Sequence, residues 1–556
     1  MTQRKREMEN GKRKIFIFNF FTFNCQFSFF NSFARLLCIF AALVFSFSCA
    51  SKPADLRTLV PADALIYLET NDLGKTLGAV TENKAFQQLA VNKPDLSALD
   101  GIQVAVAVTG FETSEEQLSE ENSVLNFRPR FVAVAETNAW NWQALRFTEN
   151  KLGEFINENY GGEVGLETSD KHGGRYFVWT ARDGRKAYAW VQGSLIFFGN
   201  DESAIEKSLE VKRGESDSIA NNPKVNKDSP ERLAFGYISP DGVDQVANLA
   251  GISLAMSASE ENEVKSFIAR VLPEILRNSV KEISWTANKS GQRIEDKFII
   301  TTNPEITTVF SETLVPSNSG SNLANLLPGE VVSVTSYDLL DPQIAWRSLV
   351  LTAQTQTDAI SGNLLAAFSG SLFEPYGIEN PELFFSTAAG SHILTARFDA
   401  EGEKQVVIAI VKDVETVKKS VAKEIDFNKP AENHGNADIW KSADGELAAA
   451  FIDSQIILGD AESVLKCLEA GASGNNFTKH PLFSQLAGSD SVSVTAGTDF
   501  ESAGKIVEVL AEKKMANETI AAHFITETRF NQNGIERRTI SDFGLLGTII
   551  EQFGKD

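Results

Sequence analysis

Gly74-Lys75-Thr76 is the triplet in this chain whose residue types come closest to known chemistry, because a Gly-Lys-Thr run closes the phosphate-cradling loop of nucleotide-binding proteins. That loop also needs a glycine five residues before the Gly-Lys pair, so that backbone amides can wrap the phosphate; Glu69 stands there. The five histidines, at 172, 392, 434, 480 and 523, have no paired ligand spacing in sequence, and neither a Gly-x-Ser-x-Gly elbow nor a Gly-x-Gly-x-x-Gly fingerprint occurs. Ser371, Ser391 and Ser489 each adjoin a glycine without that context. Catalytic, cofactor-binding and metal-binding residues are therefore all expected to be none.

Carboxylates are plentiful, with 74 Asp and Glu, so some must lie close together whatever the protein does. An unrecognised hydrolase built from dispersed carboxylates is the alternative function. The carboxylates that recur in the chain, Asp72 with Asp338, Asp183 with Asp444 and Glu202 with Glu462, read as helix caps and turns. Cys467 reads as a partly buried structural thiol on a helix. Trp179 and Trp440 recur and read as core anchors.

These residues sit in a chain that is written twice. Trp179, Asp183-Gly184, Ala187, Ala189, Ser194, Ile196, Gly199 and Glu202-Ser203 recur as Trp440, Asp444-Gly445, Ala448, Ala450, Ser454, Ile456, Gly459 and Glu462-Ser463. In the first copy the stretch reads as a meander with strands at 176–180, 186–192 and 195–198, turning at Asp183-Gly184 and Gly193-Ser194. A helix follows, with Asn200 and Asp460 as its matched caps. Leu56-Arg57-Thr58-Leu59-Val60-Pro61 and Leu323-Ala324-Asn325-Leu326-Leu327-Pro328 mark the two starts.

The expected fold class is α+β: two tandem homologous domains, residues 56–315 and 323–556, each a largely antiparallel sheet with packed helices, joined by a linker at 316–322. Strands are predicted at 64–69, 102–109, 131–135, 233–238, 283–287 and 293–300, and in the second half at 331–336, 406–411, 492–496, 524–530 and 536–540. Helices are predicted at 73–89, 142–159, 243–277, 305–314, 414–423 and 545–553, with a polar loop at 112–122. Two such domains can enclose a cleft.

Residues 1–48 are a different material. They hold 12 of the 39 phenylalanines, with Arg4-Lys5-Arg6, Lys12-Arg13-Lys14 and Arg35 ahead of an apolar run from Leu36 to Phe47. This matches a signal peptide. Ser46-Phe47-Ser48-Cys49 resembles the lipobox of bacterial lipoproteins, with Phe47 departing from the usual middle residue. The resemblance implies acylation of Cys49, a tether over 49–55, and a membrane contact made through those acyl chains, which anchor stably. Cleavage near Ala50 and an uncleaved anchor are the other outcomes. The leader's length points to a start of translation downstream of Met1, although Met8 is the only other early methionine.

Residues 1–48 carry 7 of the 52 Lys/Arg and 2 of the 74 Asp/Glu, which leaves 45 against 72 and a net charge of −27. A body so acidic repels nucleic acid and anionic headgroups alike. The Leu-Leu-Pro opening after a leader, the Asp-Gly hairpin, the Gly-Asn/Asp-x-Glu-Ser helix start and the closing Gly hairpin resemble a bacterial family of exported proteins containing a domain of unknown function. The resemblance implies no activity. Ala50-Ser51 after Cys49, with no Asp, resemble diderm lipoproteins, which implies a cell-envelope lipoprotein at the outer membrane, facing the periplasm or the surface. The leader, Cys49, the duplication and the lack of catalytic motifs point to a non-catalytic role in binding an envelope protein, peptide or lipid, and nucleic acid is not among the expected partners.

Overall fold

The computed structural model describes residues 55–117, 123–225, 231–257, 263–317, 323–400, 402–480, 482–487, 490–513 and 520–551. The leader, Cys49 and most of the 316–322 linker lie outside them. The fold is α+β, a large antiparallel sheet carrying helices on both faces.

The first ten strands are β1 (Ile66–Thr70), β2 (Gln103–Gln117), β3 (Ser123–Glu136), β4 (Gly165–Lys171), β5 (Gly174–Thr180), β6 (Lys186–Gln192), β7 (Leu195–Gly199), β8 (Arg232–Ile238), β9 (Val280–Ser290) and β10 (Arg293–Thr302). They pair in the order 4-5-6-7-3-2-1-8-9-10. The next ten are β11 (Ser333–Asp338), β12 (Ala388–Arg397), β13 (Gln405–Val411), β14 (Glu432–His434), β15 (Ala437–Lys441), β16 (Leu447–Ile452), β17 (Gln455–Asp460), β18 (Ser493–Asp499), β19 (Ala522–Asn531) and β20 (Gly534–Ser541). They pair as 14-15-16-17-13-12-11-18-19-20, the same order strand for strand.

Central strands read as continuous apolar runs because both of their faces are covered. In β2, Val104, Val106 and Val108 face one helical layer while Ala105 and Ala107 face the other. Gly199 and Gly459 recur for a steric reason. A Cβ on Gly199 would lie 2.4 Å from the Phe131 carbonyl oxygen, and one on Gly459 would lie 2.1 Å from that of Gln405.

Where the sequence allowed a cleft, the halves meet as an antiparallel ladder between β10 and β20. Lys297 and Arg538 are each the fourth residue after the first of their strand, and they lie directly opposite one another. A pseudo-twofold axis therefore passes between them. Symmetry then repeats the ion pairs, Lys297 with Glu536 at 3.0 Å and Arg538 with Glu295 at 2.8 Å. Partly exposed pairs of this kind contribute below about 1 kcal/mol each, so they set register more than stability.

The closing helices cross the junction. Gly544–Glu551 buries Leu546 and Ile550 among first-half residues, including Leu73 and Phe86. Pro304–Thr313 goes the other way and sets Phe310 edge-on to Phe530, with ring centres 5.4 Å apart. Asp296 on β10 accepts the Leu545 amide at 2.8 Å and the Trp285 indole at 2.8 Å, and so caps a helix of the opposite half.

Several expectations change in detail. The 112–122 segment is not all loop: β2 runs to Gln117 and pairs it with Ser123, because a hairpin ladder satisfies backbone groups whether or not its side chains are apolar. The 73–89 helix breaks at Asn83, which caps Lys84–Leu89. The 243–277 helix is a pair, Pro240–Ser257 and Glu263–Ser279. The meander gains an exposed fourth strand, β4, whose polar sequence lacks an apolar alternation. Asp201, not Asn200, caps the helix after β7, while Asn200 bridges the Phe131 amide and the Pro129 carbonyl.

Burial pushes the Asp296 carboxyl up to about 6, despite its two donors. A raised acid stabilises the fold fully below its unfolded value near 3.9 and loses that contribution as pH rises through the folded value. Wild-type protein should therefore gain on the order of 2–3 kcal/mol more than Asp296→Asn on acidification from pH 7 to 4, measured by urea unfolding. Identical pH profiles would refute the assignment.

Candidate docking surface

Most residues singled out by type are already engaged. Asp72 accepts the Lys75 amide at 2.9 Å, and the buried Thr76 hydroxyl donates to the Leu233 carbonyl at 2.8 Å. Gly74 lets the chain pass Asp100, whose Oδ1 would lie 2.4 Å from an added Cβ. A 480 Å³ depression opens beside Gly74, Lys75 and Gly78, but two of its lysines, Lys93 and Lys289, both pair with Glu82 on its wall.

Folding brings together histidines that sequence spacing does not. His480 stacks on Phe477 at 4.9 Å and meets His523 edge-on at 6.3 Å. Burial, then the neighbouring His523, holds His480 below the usual imidazole range. Among the described residues no group of three or more His, Cys, Asp or Glu is placed to hold a metal. His392 Nε2 lies 3.9 Å from Asp338, to which Ser317 donates. The carboxylate is then central, whereas a triad puts the imidazole between hydroxyl and acid.

Asp338 thus is not a cap; Asp341 takes that role for the Pro342–Thr355 helix and accepts the Ile344 amide at 3.0 Å. Asp183 and Asp444 do hold turns, accepting the Arg185 and Glu446 amides at 3.0 and 3.1 Å. Glu462 pairs with Lys404 and Lys466, which hold its carboxyl down at about 2. Glu69 is buried against Arg232 and accepts from the Tyr67 hydroxyl at 2.7 Å. Cys467 is fully buried, and burial pushes its thiol up. Trp179 is buried and stacked on Phe177 at 5.7 Å, whereas Trp440 is only half-buried, between Phe427 and Phe451.

A different feature stands open to solvent. The antiparallel pair Pro342–Thr355 and Ala359–Phe368 packs with its neighbours through Trp346, which lies 5.1 Å from Phe373. Gly362 allows the close approach, since a Cβ there would lie 2.6 Å from the Gln354 carbonyl oxygen. On the outward side Ile344 and Leu351 align at i and i+7, and Ile360 and Leu364 at i and i+4. Ile360 is 75% exposed, Leu351 58%, and Leu340 just before the pair 68%.

The stretch has a sequence signal that motif searching overlooks. Residues 344–373 hold two charged residues, Arg347 and Asp358, where the chain's 23% would supply about seven. Single exposed apolar residues are ordinary, but several aligned on one charge-poor helical face are the pattern of an interaction site. Covering these five would recover on the order of 1 kcal/mol each, in keeping with a reversible contact.

No family model matches the chain, and no curated protein matches it. Among solved structures, two crystal forms of the protein TP0453 are similar over 47% of this chain and 86% of theirs. The identities are 11% and 9%, and the TM-score is 0.23 for both. A likeness at that level bears on neither the fold nor the role of this chain.

Because Leu351, Ile360 and Leu364 are exposed, replacing all three by Ser should leave urea stability within about 0.5 kcal/mol per site. The same variant should lose more than half of the native protein's bis-ANS fluorescence. Unchanged dye binding would mean that this face is not the accessible apolar surface.

Proposed function

We propose that this chain is an exported, lipid-anchored envelope protein that works by binding an envelope protein, peptide or lipid rather than by catalysis. The observation that carries the binding role is the exposed, charge-poor apolar face of Pro342–Thr355 and Ala359–Phe368. The engaged state of Glu69, Asp296 and Glu462 weighs against the hydrolase alternative, since each already serves an ion pair or a cap.

The matching strand order supports reading residues 56–315 and 323–556 as divergent copies of one domain. The basic and apolar leader supports export, and the small residue before Cys49 supports acylation there. An acidic body leaves the acyl chains as the means of membrane attachment, and Ala50-Ser51 after Cys49, with no Asp there, support the outer membrane as the destination.

Intact-mass analysis of protein extracted from membranes checks the anchor. The expected species begins at Cys49 and carries a diacylglyceryl group and an N-acyl chain. Cys49→Ala should release the protein to the soluble fraction. An unmodified N-terminus beyond Cys49, or a retained leader, would contradict the proposal.

A further inference from the structure

We propose that the outward face of Pro342–Thr355 and Ala359–Phe368 docks a cationic amphipathic helix of a partner. This deepens the binding role proposed above and rests on it. Two antiparallel helices, one exposing apolar residues at i and i+7 and the other at i and i+4, offer an apolar surface of the kind that accepts a third helix through its apolar stripe.

The other half supplies a precedent for the shape. There the helices that follow β1, Leu73–Thr81 and Lys84–Leu89, are roofed by the amphipathic helix Ser502–Leu510, which buries Ala503, Ile506 and Val507. The helices that follow β11 are met by the corresponding hairpin at their ends, with Phe267 against Phe368 at 5.5 Å and Asn278 donating to the Gln356 carbonyl at 2.6 Å, while Leu351 and Ile360 stay exposed. A helix is thus what covers this position where it is covered.

Charge selects the partner. Inside the face the one cation, Arg347, is paired with Glu382. Around it the exposed carboxylates Asp341 and Glu374 stand at one end and Asp358, with Arg270 of the adjacent hairpin near it, at the other, while Glu305 and Glu312 lie on the neighbouring Pro304–Thr313 helix, so that acids outnumber bases. An apolar stripe flanked by Lys and Arg complements this pattern. An anionic bilayer would meet repulsion from the same carboxylates, and so would a second copy of this chain, whose net charge is −22.

Fluorescence anisotropy of the purified protein with a labelled 18-residue Leu/Lys amphipathic helix tests the proposal. Saturable one-to-one binding is expected. It should weaken at least tenfold in Leu351→Ser/Ile360→Ser, and severalfold, with a shallower salt dependence, in Asp341→Asn/Asp358→Asn/Glu374→Gln, where the amide oxygens keep the caps. Equal affinity for a Leu/Glu peptide would overturn the proposal, as would binding untouched by the charge variant, which probes the site even if the Ser variant fails to fold. Flotation with phosphatidylethanolamine/phosphatidylglycerol vesicles that Leu351→Ser/Ile360→Ser abolishes would assign the face to lipid instead. A dimer in sedimentation that the same variant dissolves would assign it to a second copy. None of these outcomes alters the mass expected at Cys49, so the anchor and the docking site fail separately.

Discussion

Lys297 and Arg538 face each other across the β10–β20 ladder because a residue on a pseudo-twofold axis has to meet its own equivalent. Two cations directly opposite in a sheet repel, and the repulsion is relieved diagonally by Glu295 and Glu536. A one-residue slip would break both ion pairs and turn Asp296 away from the helix that it caps. The ladder also consumes the last strand of each half, which would otherwise be an open edge. The remaining ends of the sheet are β4, which carries Glu167, Asp170 and Lys171, and β14, only three residues long.

Departures from symmetry at the junction are themselves matched. Counting from the strand starts, Asp296 corresponds to Arg537 and Leu545 to Pro304. Leu545 offers an amide to Asp296, whereas a prolyl nitrogen has no hydrogen to give, so the second half needs no acceptor there. The same asymmetry extends outward. The helices after β1 are buried by a helix from the other half, while those after β11 leave Leu351 and Ile360 in water. Surface that symmetry would bury in one half is available for an interaction in the other.

The sheet was readable where its residues obey local rules. Val104 to Val108 and the Asp-Gly and Gly-Ser turns specify strands and hairpins within a few residues of themselves, whereas Gly199 and Gly459 recur because of Phe131 and Gln405, far away in sequence. The pairing of β10 with β20 could not be read, because it joins residues about 240 apart whose polarity alternates like that of any exposed strand. The exchange of closing helices was hidden for the same reason: Leu546 and Ile550 signal an apolar face without naming what they face. The exposed apolar face lies in a stretch, 342–397, that contains no recurring residue, and its signal is a deficit of charge rather than a motif.

Each half lends the other a helix and a strand edge, so the halves should not unfold separately. Calorimetry with hydrogen exchange followed by mass spectrometry measures this directly. One cooperative transition is predicted, with β1, β10, β11 and β20 losing protection together. Two transitions, with residues 66–302 and 333–541 opening independently while β10 and β20 exchange freely, would contradict the account.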